Sequence, residues 1–244
     1  MAKAILGRVF ALWALVIFVP TLLIAVWPIL ISFLVPEPYG IRIFQTTSRY
    51  WMAFFLYIIG CSIRIKGKEH YDNTKRYVIT SNHRSFFDVP LLTPFFPGPN
   101  KTIAKKSLSR IPFFGWIYAR GSVLVDRSND RSRKQSFDAM KRVLVRDHIN
   151  MAIYPEGTRN RTGQPLKSFY DGAFRLAMAT NTEIIPVVMR FTDTVFPPAR
   201  FFFVWPHRLE MHLLPPIASH GKKIEELKQK VFDTMWKYIE ENGV

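Results

Sequence analysis

The sequence contains very little cysteine, and this scarcity limits the chemistry that the chain can support. Cys61 is the one cysteine among 244 residues, so neither an internal disulfide nor a cysteine-based zinc site can form. Acidic residues are also scarce, because 18 aspartates and glutamates stand against 34 lysines and arginines, for a formal net charge of +16. Such a surplus predicts anionic partners: an acidic membrane surface, phosphorylated small molecules or nucleic acid.

The sequence also lacks internal repeats, a low-complexity linker and a Gly-x-Ser-x-Gly motif. Its length suits one domain with an appendage. A hydrolase that used Ser81 or Ser85 with a histidine and an aspartate is disfavoured, because the turn that exposes such a serine in α/β hydrolases is absent.

Charge is missing altogether from residues 9–35, a run of 27 residues interrupted by two prolines. This run is long enough to cross a bilayer, and it is too long and bulky for a cleaved signal peptide. A second uncharged run, residues 50–63, has 14 residues and is too short to span. Basic residues flank both runs, so the positive-inside rule does not assign their flanking segments to opposite sides of a membrane. We interpret residues 1–64 as a membrane-anchoring helical hairpin dipping into one leaflet; a single span followed by a buried core helix is the alternative.

Short apolar runs alternate with mixed segments over residues 65–244, which predicts an α/β domain: a mixed, largely parallel sheet flanked by helices. Helical spacing of apolar residues predicts helices over 128–145, 170–180 and 222–241. The aromatic cluster at 201–205 is interpreted as sheet core, with a patch touching lipid as the alternative. The predicted strands are 63–66, 77–80, 101–104, 123–125, 151–154, 184–189 and 209–214.

A histidine and an aspartate, His83 and Asp88, directly follow the predicted strand 77–80. Residues five apart on a continuous helix lie about 140° apart around the axis, so the pair can meet only if His83 lies in a turn and a helix opens over 86–93. One imidazole nitrogen would then bind the carboxylate and the other would face a substrate, as in a general base with its orienting acid. An ordinary loop histidine beside a first-turn acid is the alternative.

The sequence Tyr-Pro-Glu-Gly-Thr-Arg over residues 154–159 ends another predicted strand in a polar turn. Pro155 stops the strand, and Gly157 permits a positive φ, so that backbone N–H groups can approach an anion. Arg159 offers a planar fork for a phosphate. A plain surface loop is the alternative for this segment.

The residues between 101 and 146 predict a basic edge of the sheet, because this segment contains twelve basic residues and three acids. Lys105 directly follows the predicted strand 101–104, and Arg127 follows the predicted strand 123–125, so both lie where open α/β sheets bind their ligands. Arg127 is therefore a second candidate phosphate contact, with a solvated surface arginine as the alternative.

Four blocks, in this order, resemble those of the glycerolipid acyltransferase family: His83 to Asp88 with four residues between, residues 121–127, residues 154–159, and Ile-Ile-Pro-Val-Val over 184–188. The similarity covers roughly residues 65–215. One feature departs from the family, because members usually place a lysine close before a Gly-Ala-Phe run. Here four residues separate Lys167 from that run at 172–174.

The resemblance implies transfer of a fatty acyl group from a coenzyme A or acyl-carrier-protein thioester to the free sn-2 hydroxyl of 1-acyl-sn-glycerol 3-phosphate, giving phosphatidic acid. His83 and Asp88 would be catalytic, without a cofactor or metal. The expected partners are the lysophospholipid acceptor, the thioester donor and an anionic membrane surface, with no nucleic acid. The expected location is the inner, cytoplasmic membrane, with the active site on its cytoplasmic face. The expected substrate-binding residues are Lys105, Arg127, Glu156, Gly157, Thr158 and Arg159.

Two other functions remain open at this stage. The acceptor could be a different lysolipid or glycerol 3-phosphate itself, since spacing does not separate these substrates. A membrane-bound, non-enzymatic protein that binds anions or nucleic acid would also explain the charge, but it would leave the pairing of His83 with Asp88 without a use.

Overall fold

A computed structural model describes residues 1–126 and 129–243. Within these residues seven strands form one sheet in the order β1-β7-β6-β2-β5-β3-β4. Strands β2 to β6 are mutually parallel, whereas β7 is antiparallel to β6 and parallel to β1. The strands are β1 (Ser62–Lys66), β2 (Tyr77–Ser81), β3 (Asn100–Lys105), β4 (Ser122–Val125), β5 (Asn150–Ile153), β6 (Glu183–Arg190) and β7 (Arg208–Leu213).

The prediction of a mixed, largely parallel sheet flanked by helices is confirmed, and all seven predicted strands are present. The helices are α1 (Ala2–Ile31), α2 (Tyr39–Ile58), α3 (Asp88–Phe95), α4 (Phe114–Gly121), α5 (Asp130–Val145), α6 (Gly172–Ala179), α7 (Thr192–Val195) and α8 (Ile224–Asn242). Strand β2 is buried on both faces, which explains its run of apolar residues: Val78 packs into the core beneath α5, α6 and α8, and Ile79 into the core beneath α2 and α3.

The three predicted helices correspond to α5, α6 and α8, and the apolar stripe of α8 is buried, as its spacing indicated. The predicted first residue of α5, Ser128, lies outside the described residues. The interpretation of residues 201–205 as sheet core is wrong for Phe201 and Phe202, which lie in the loop before β7 and are exposed, Phe201 by 97%. Phe203 in the same loop is buried.

The N-terminal apolar run forms α1, which continues through Pro20 and Pro28. By length and composition alone, residues Ala2–Leu34 could cross a membrane. Helix α2 runs antiparallel to α1: Trp13 Nε1 donates to the Ile58 carbonyl at 3.2 Å, and Trp51 Nε1 donates to Thr21 Oγ1 at 3.0 Å. The two helices therefore form a packed pair, and their embedding in one leaflet stays a prediction.

Helix α2 begins eleven residues before the second uncharged run and is docked on the rest of the protein. Gln45 Nε2 lies 3.0 Å from the Thr93 carbonyl oxygen, and Arg49 Nε donates to the Pro94 carbonyl at 2.7 Å, both at the end of α3. The expected boundary at residue 64 falls inside β1, and the division into two domains stays a prediction.

The connection between α1 and α2 is bonded to the sheet through Glu37. Its carboxylate accepts hydrogen bonds from Arg120 Nη1 at 2.6 Å and Nη2 at 3.1 Å, and from Lys101 Nζ at 2.7 Å. Burial raises the pKa of Glu37, but the hydrogen bonds and charges of Arg120 and Lys101 outweigh burial and lower that pKa to about 2. This polar cluster fixes the position of the helix pair against β3 and α4.

Replacing Glu37 should therefore loosen the helix pair. We expect Glu37→Gln to lower the free energy of unfolding by up to about 3–5 kcal/mol at pH 7, because two partly buried cations lose their counter-ion. Thermal unfolding in detergent measures this loss, with the exposed Glu240→Gln as the matched control. Equal unfolding temperatures of the two variants would contradict the prediction.

The same cluster should make stability depend on acid. The folded pKa of Glu37, about 2, lies below its ordinary value of 4.5, so its contribution is full above about pH 4.5 and disappears as the pH falls towards 2. The wild type and Glu37→Gln should accordingly converge in unfolding temperature over that range.

Candidate active site

The candidate site lies at the carboxyl end of β2, where Asn82 bonds the end of this strand to β6. Its Oδ1 accepts from the Met189 backbone N–H at 2.7 Å, and its Nδ2 donates to the Met189 carbonyl at 2.9 Å. Asn82 is fully buried, so both bonds form away from water. Sequence reasoning missed this residue; a polar amide at the end of a buried strand, next to the candidate base, was the available signal.

His83 follows in a turn, and α3 begins at Asp88, so the predicted contact forms: His83 Nδ1 lies 2.7 Å from Asp88 Oδ2. The same oxygen accepts from the backbone N–H groups of Arg84 at 2.7 Å and Ser85 at 2.8 Å. Asp88 is fully buried, whereas the His83 side chain is 18% exposed. A carboxylate at Nδ1 places the proton of neutral imidazole there and leaves Nε2 able to accept another.

Tyr154, the first residue after β5, packs against the base. Its ring centroid lies 4.5 Å from that of His83, with the planes tilted by 38°. Burial raises the pKa of Tyr154 well above its ordinary value, and the charge of Asp88 raises it further, so the hydroxyl stays neutral. Tyr154 begins the block at 154–159, but sequence reasoning assigned it no role of its own.

Glu156 ties the turn after β5 to the loop that carries the base. Its Oε1 accepts from the His83 backbone N–H at 2.8 Å, and its Oε2 accepts from the Lys167 backbone N–H at 2.9 Å. The side chain is fully buried, which raises its pKa, although the two N–H groups act in the opposite direction. The structure therefore places this predicted substrate contact against backbone groups of the protein itself.

Gly157 and Thr158 form the tip of the same turn. Gly157 has a φ of 71°, and a Cβ there would lie 2.7 Å from the Tyr170 ring, so both the backbone and the space favour glycine. Thr158 is exposed, and its Oγ1 accepts from Lys167 Nζ at 2.7 Å. Lys167 thus reaches the turn in spite of its unusual distance from residues 172–174.

Arg159 lies over the ring of Phe86, with its guanidinium carbon 3.5 Å from the ring centroid. Its Nη1 is buried and has no hydrogen-bond partner among the described residues. Burial lowers the pKa of Arg159, and the charge of Arg161 lowers it further. A partly desolvated cation is thus held over Phe86, which lies three residues after His83 in the sequence, and an anion could bind it there.

The other two predicted binding residues are less informative. Lys105 is exposed at the carboxyl end of β3, which is separated from β2 by β5. Arg127 lies outside the described residues.

Two apolar cavities adjoin the His83 loop. The first, here called the sheet-side cavity, measures about 430 Å³ and lies between α2, α3, α4 and the strands β3 and β4. The second, the helix-side cavity, measures about 540 Å³ and lies between α1 and residues 196–204. Phe86 and Phe87 line both cavities. Both volumes suit small ligands, which usually occupy about 300–1,000 Å³.

Comparison with known proteins agrees with this geometry. The 1-acyl-sn-glycerol-3-phosphate acyltransferase of Saccharomyces cerevisiae is 31% identical over 207 residues, which cover 81% of this chain and 66% of that protein. The protein of the same name from Cocos nucifera is 33% identical over 169 residues, covering 68% and 54%. The chain thus spans between about half and two thirds of the length of these relatives.

The fold is shared with a solved structure, the crystal structure of the 1-acyl-sn-glycerophosphate (LPA) acyltransferase PlsC from Thermotoga maritima. The TM-score is 0.83 at 20% sequence identity, and the match covers 98% of this chain and 97% of that one. A family model described as Acyltransferase matches residues 62–190, more than half of the chain and the part that contains the His83 loop and the turn after β5. The chain therefore belongs to the acyltransferase family, as the four ordered blocks indicated.

Proposed function

We propose that the protein transfers a fatty acyl group from an acyl-CoA or acyl-carrier-protein thioester to the sn-2 hydroxyl of 1-acyl-sn-glycerol 3-phosphate, giving phosphatidic acid. The observation that carries the proposal is the 2.7 Å contact between His83 and the buried Asp88, in the same loop as Phe86, over whose ring the guanidinium of Arg159 lies. The names of the relatives from yeast and coconut agree with this substrate.

The reaction needs a base because a hydroxyl is a poor nucleophile at neutral pH. His83 Nε2 takes the hydroxyl proton as the oxygen attacks the thioester carbonyl, and Asp88 stabilises the resulting imidazolium. Collapse of the tetrahedral intermediate breaks the carbon–sulfur bond, and the imidazolium returns its proton to the departing thiolate. The acyl group passes directly between substrates, so no acyl-enzyme forms.

The acceptor phosphate binds Arg159, with Thr158 and the N–H groups around Gly157 at the same turn. Lys105, which is exposed at the end of β3, extends the basic surface there, and Arg127 remains a proposed phosphate contact on the sequence pattern alone. Glu156 acts by holding the backbone of His83 and Lys167, because its oxygens already accept those N–H groups.

The membrane supplies the acceptor. We propose that α1 anchors the protein in the inner, cytoplasmic membrane, with the site on the cytoplasmic face. The net charge of +16 favours an anionic bilayer surface, since each nearby lysine or arginine contributes about 1 kcal/mol. A site at this surface avoids moving acyl chains through water.

Thiol release from palmitoyl-CoA by the detergent-purified protein tests the function. Lysophosphatidate, neutral lysolipids, glycerol 3-phosphate and no acceptor are compared, and palmitoyl-acyl-carrier protein is tested as a second donor. We expect release to require lysophosphatidate and phosphatidic acid to accumulate in equal amount. Release without an acceptor would indicate a hydrolase, and a preference for another acceptor would replace the substrate proposed.

The role of Arg159 gives a separate prediction. Arg159→Ala should raise the KM for lysophosphatidate by about 10- to 100-fold, the effect of losing charged hydrogen bonds, and leave the KM for the thioester nearly unchanged. Arg159→Lys should recover only part of the loss, because an ammonium cannot bind a phosphate with two parallel bonds. The exposed Arg161→Ala is the control, and an unchanged KM in Arg159→Ala would rule out the assignment.

A further inference from the structure

Helix α5 carries positive charge on the side that faces away from the sheet. Met140 and Leu144 of this helix are buried in the core, where α5 packs on β4, β5 and α6. At about 100° per residue, Arg131, Lys134 and Arg142 fall on the opposite side of the helix. All three are exposed. They define a basic surface, called the α5 surface below.

Little negative charge compensates the α5 surface. Arg131, Lys134 and Arg142 form no ion pair with another residue that the structure describes. Asp138 is the one acid among the described side chains of α5. A cation near a helix N-terminus opposes the helix dipole, so local helix stability does not explain Arg131. The charges of this surface are therefore available to an anionic partner.

The shape of the α5 surface favours a macromolecule over a small ligand. From Arg131 to Arg142 the outer face of the helix is convex and about 17 Å long. Neither of the two cavities has a cation of this surface in its described lining. Small molecules are usually bound in concave sites, so the head group of coenzyme A has no pocket on this face. An acidic protein can instead cover several turns of the helix at once.

The sheet separates the α5 surface from the proposed membrane anchor. Helix α1 packs on α2 and α4, and α2 packs on α3. Val78 and Ile79 are neighbours on β2, and their side chains lie in two different cores, one with Met140 of α5 and the other with Met52 of α2. A bilayer that holds α1 and α2 thus lies on the far side of the sheet, and the α5 surface is left to a soluble partner.

Helix α5 also begins at the edge of the sheet where His83 lies. Strand β4 ends at Val125, and α5 begins at Asp130. Because β4, β3, β5 and β2 are parallel, their carboxyl ends share one edge. Three strand spacings, about 14 Å, separate β4 from β2. A protein bound to the α5 surface is therefore close enough to extend a flexible prosthetic arm to His83.

We propose that the α5 surface docks an acidic acyl-carrier protein, whose prosthetic arm delivers the acyl thioester to His83. This inference rests on the proposed acyl transfer and adds the surface at which one of the two donors is recognised. Complementary charges speed the encounter of two proteins and fix their orientation. The chemistry at His83 is the same for both donors, so only the carrier-protein donor depends on α5.

Charge reversal on α5 tests the docking surface. In Arg131→Glu/Lys134→Glu we expect the KM for palmitoyl-acyl-carrier protein to rise by about 10-fold or more at low salt, because opposite charges no longer meet. The KM for palmitoyl-CoA should stay as in the wild type. The fold should survive, since acidic residues are favoured near a helix N-terminus, and thermal unfolding checks it. An unchanged KM for the carrier protein, or an equal rise for both donors, would overturn the proposal.

A matched variant and salt separate docking from a general effect of charge. Lys230→Glu/Lys237→Glu makes the same change in net charge on exposed positions of α8, which α6 separates from α5. We expect it to leave the KM for both donors unchanged. At 1 M salt, where the Debye length is about 3 Å, the wild type and the α5 variant should have the same KM for the carrier protein. A difference that persists at high salt would contradict docking by charge.

Binding without turnover separates this inference from the proposed function. Fluorescence anisotropy of labelled acyl-carrier protein should show saturable binding to the wild type, weakened by about 10-fold or more in Arg131→Glu/Lys134→Glu. Carrier binding at α5 without any acyl transfer would contradict the proposed function alone. Transfer from palmitoyl-CoA without carrier binding would overturn this inference alone.

Vesicles of phosphatidylglycerol and phosphatidylcholine test the competing partner, an anionic bilayer. We expect the wild type and Arg131→Glu/Lys134→Glu to bind these vesicles equally well, because α1 and α2 lie on the other side of the sheet. Vesicle binding that is lost in the variant would assign the α5 surface to the membrane and overturn the proposal.

Discussion

His83→Ala should lower kcat/KM for acyl transfer to lysophosphatidate by about 10²–10⁴, the usual contribution of a positioned general base. The physical reason is that Nε2 is the nitrogen available for the hydroxyl proton, since Nδ1 is bound to Asp88 at 2.7 Å. The fold should survive, because the contacts that fix this loop to Glu156 and Asn160 use the backbone N–H and carbonyl of His83 rather than its ring. Thiol release measures the rate, and thermal unfolding checks the fold.

Two controls separate a base from a structural residue. The exposed His220→Ala should keep wild-type activity. Added imidazole should restore part of the activity of His83→Ala, because a free base can enter the space left by the ring, whereas it would not repair a misplaced loop. Activity within a few-fold of the wild type in His83→Ala would rule out the role of His83 as base.

Much of the fold could be predicted because buried strands are recognisable in the sequence. Each strand is a short apolar run bounded by polar or turn-forming residues, and β2 is buried on both faces. Helix α2 was placed too late along the chain because Arg42, Gln45 and Arg49 interrupt its apolar residues. Gln45 and Arg49 bind carbonyl groups about 50 residues away, and no local pattern encodes such partners.

In the candidate site, too, contacts between residues close in sequence could be predicted, whereas contacts between residues far apart in sequence could not. The contact of His83 with Asp88 could be predicted from local sequence, because a turn followed by a helix lets residues five apart meet; the structure decides between this contact and an ordinary loop histidine. The position of Glu156 could not be predicted, since its two oxygens bind backbone N–H groups 73 and 11 residues away in sequence. From the sequence alone, a glutamate in a polar turn is as consistent with a contact to a ligand as with hydrogen bonds to the protein backbone.

Asp88→Asn should lower kcat by a factor comparable to that of His83→Ala, about 10²–10⁴, with little change in the KM for lysophosphatidate. Asp88 Oδ2 accepts from His83 Nδ1 and from the backbone N–H groups of Arg84 and Ser85. The amide oxygen of asparagine can take this position and preserve the turn, but it carries no charge to stabilise the imidazolium. In the other orientation, its NH₂ group would face three donors and favour the tautomer with the proton on Nε2.

The double variant decides whether Asp88 acts through His83. If the carboxylate only orients the imidazole and stabilises its charge, it cannot contribute to catalysis once the imidazole has been removed. The double variant His83→Ala/Asp88→Asn should then be no slower than His83→Ala. Losses that multiply would instead mean that Asp88 contributes independently of the base. Asp88→Ala serves as the contrast: it leaves two backbone N–H groups without their acceptor beside a fully buried position, so it should also lower the unfolding temperature, which Asp88→Asn should not.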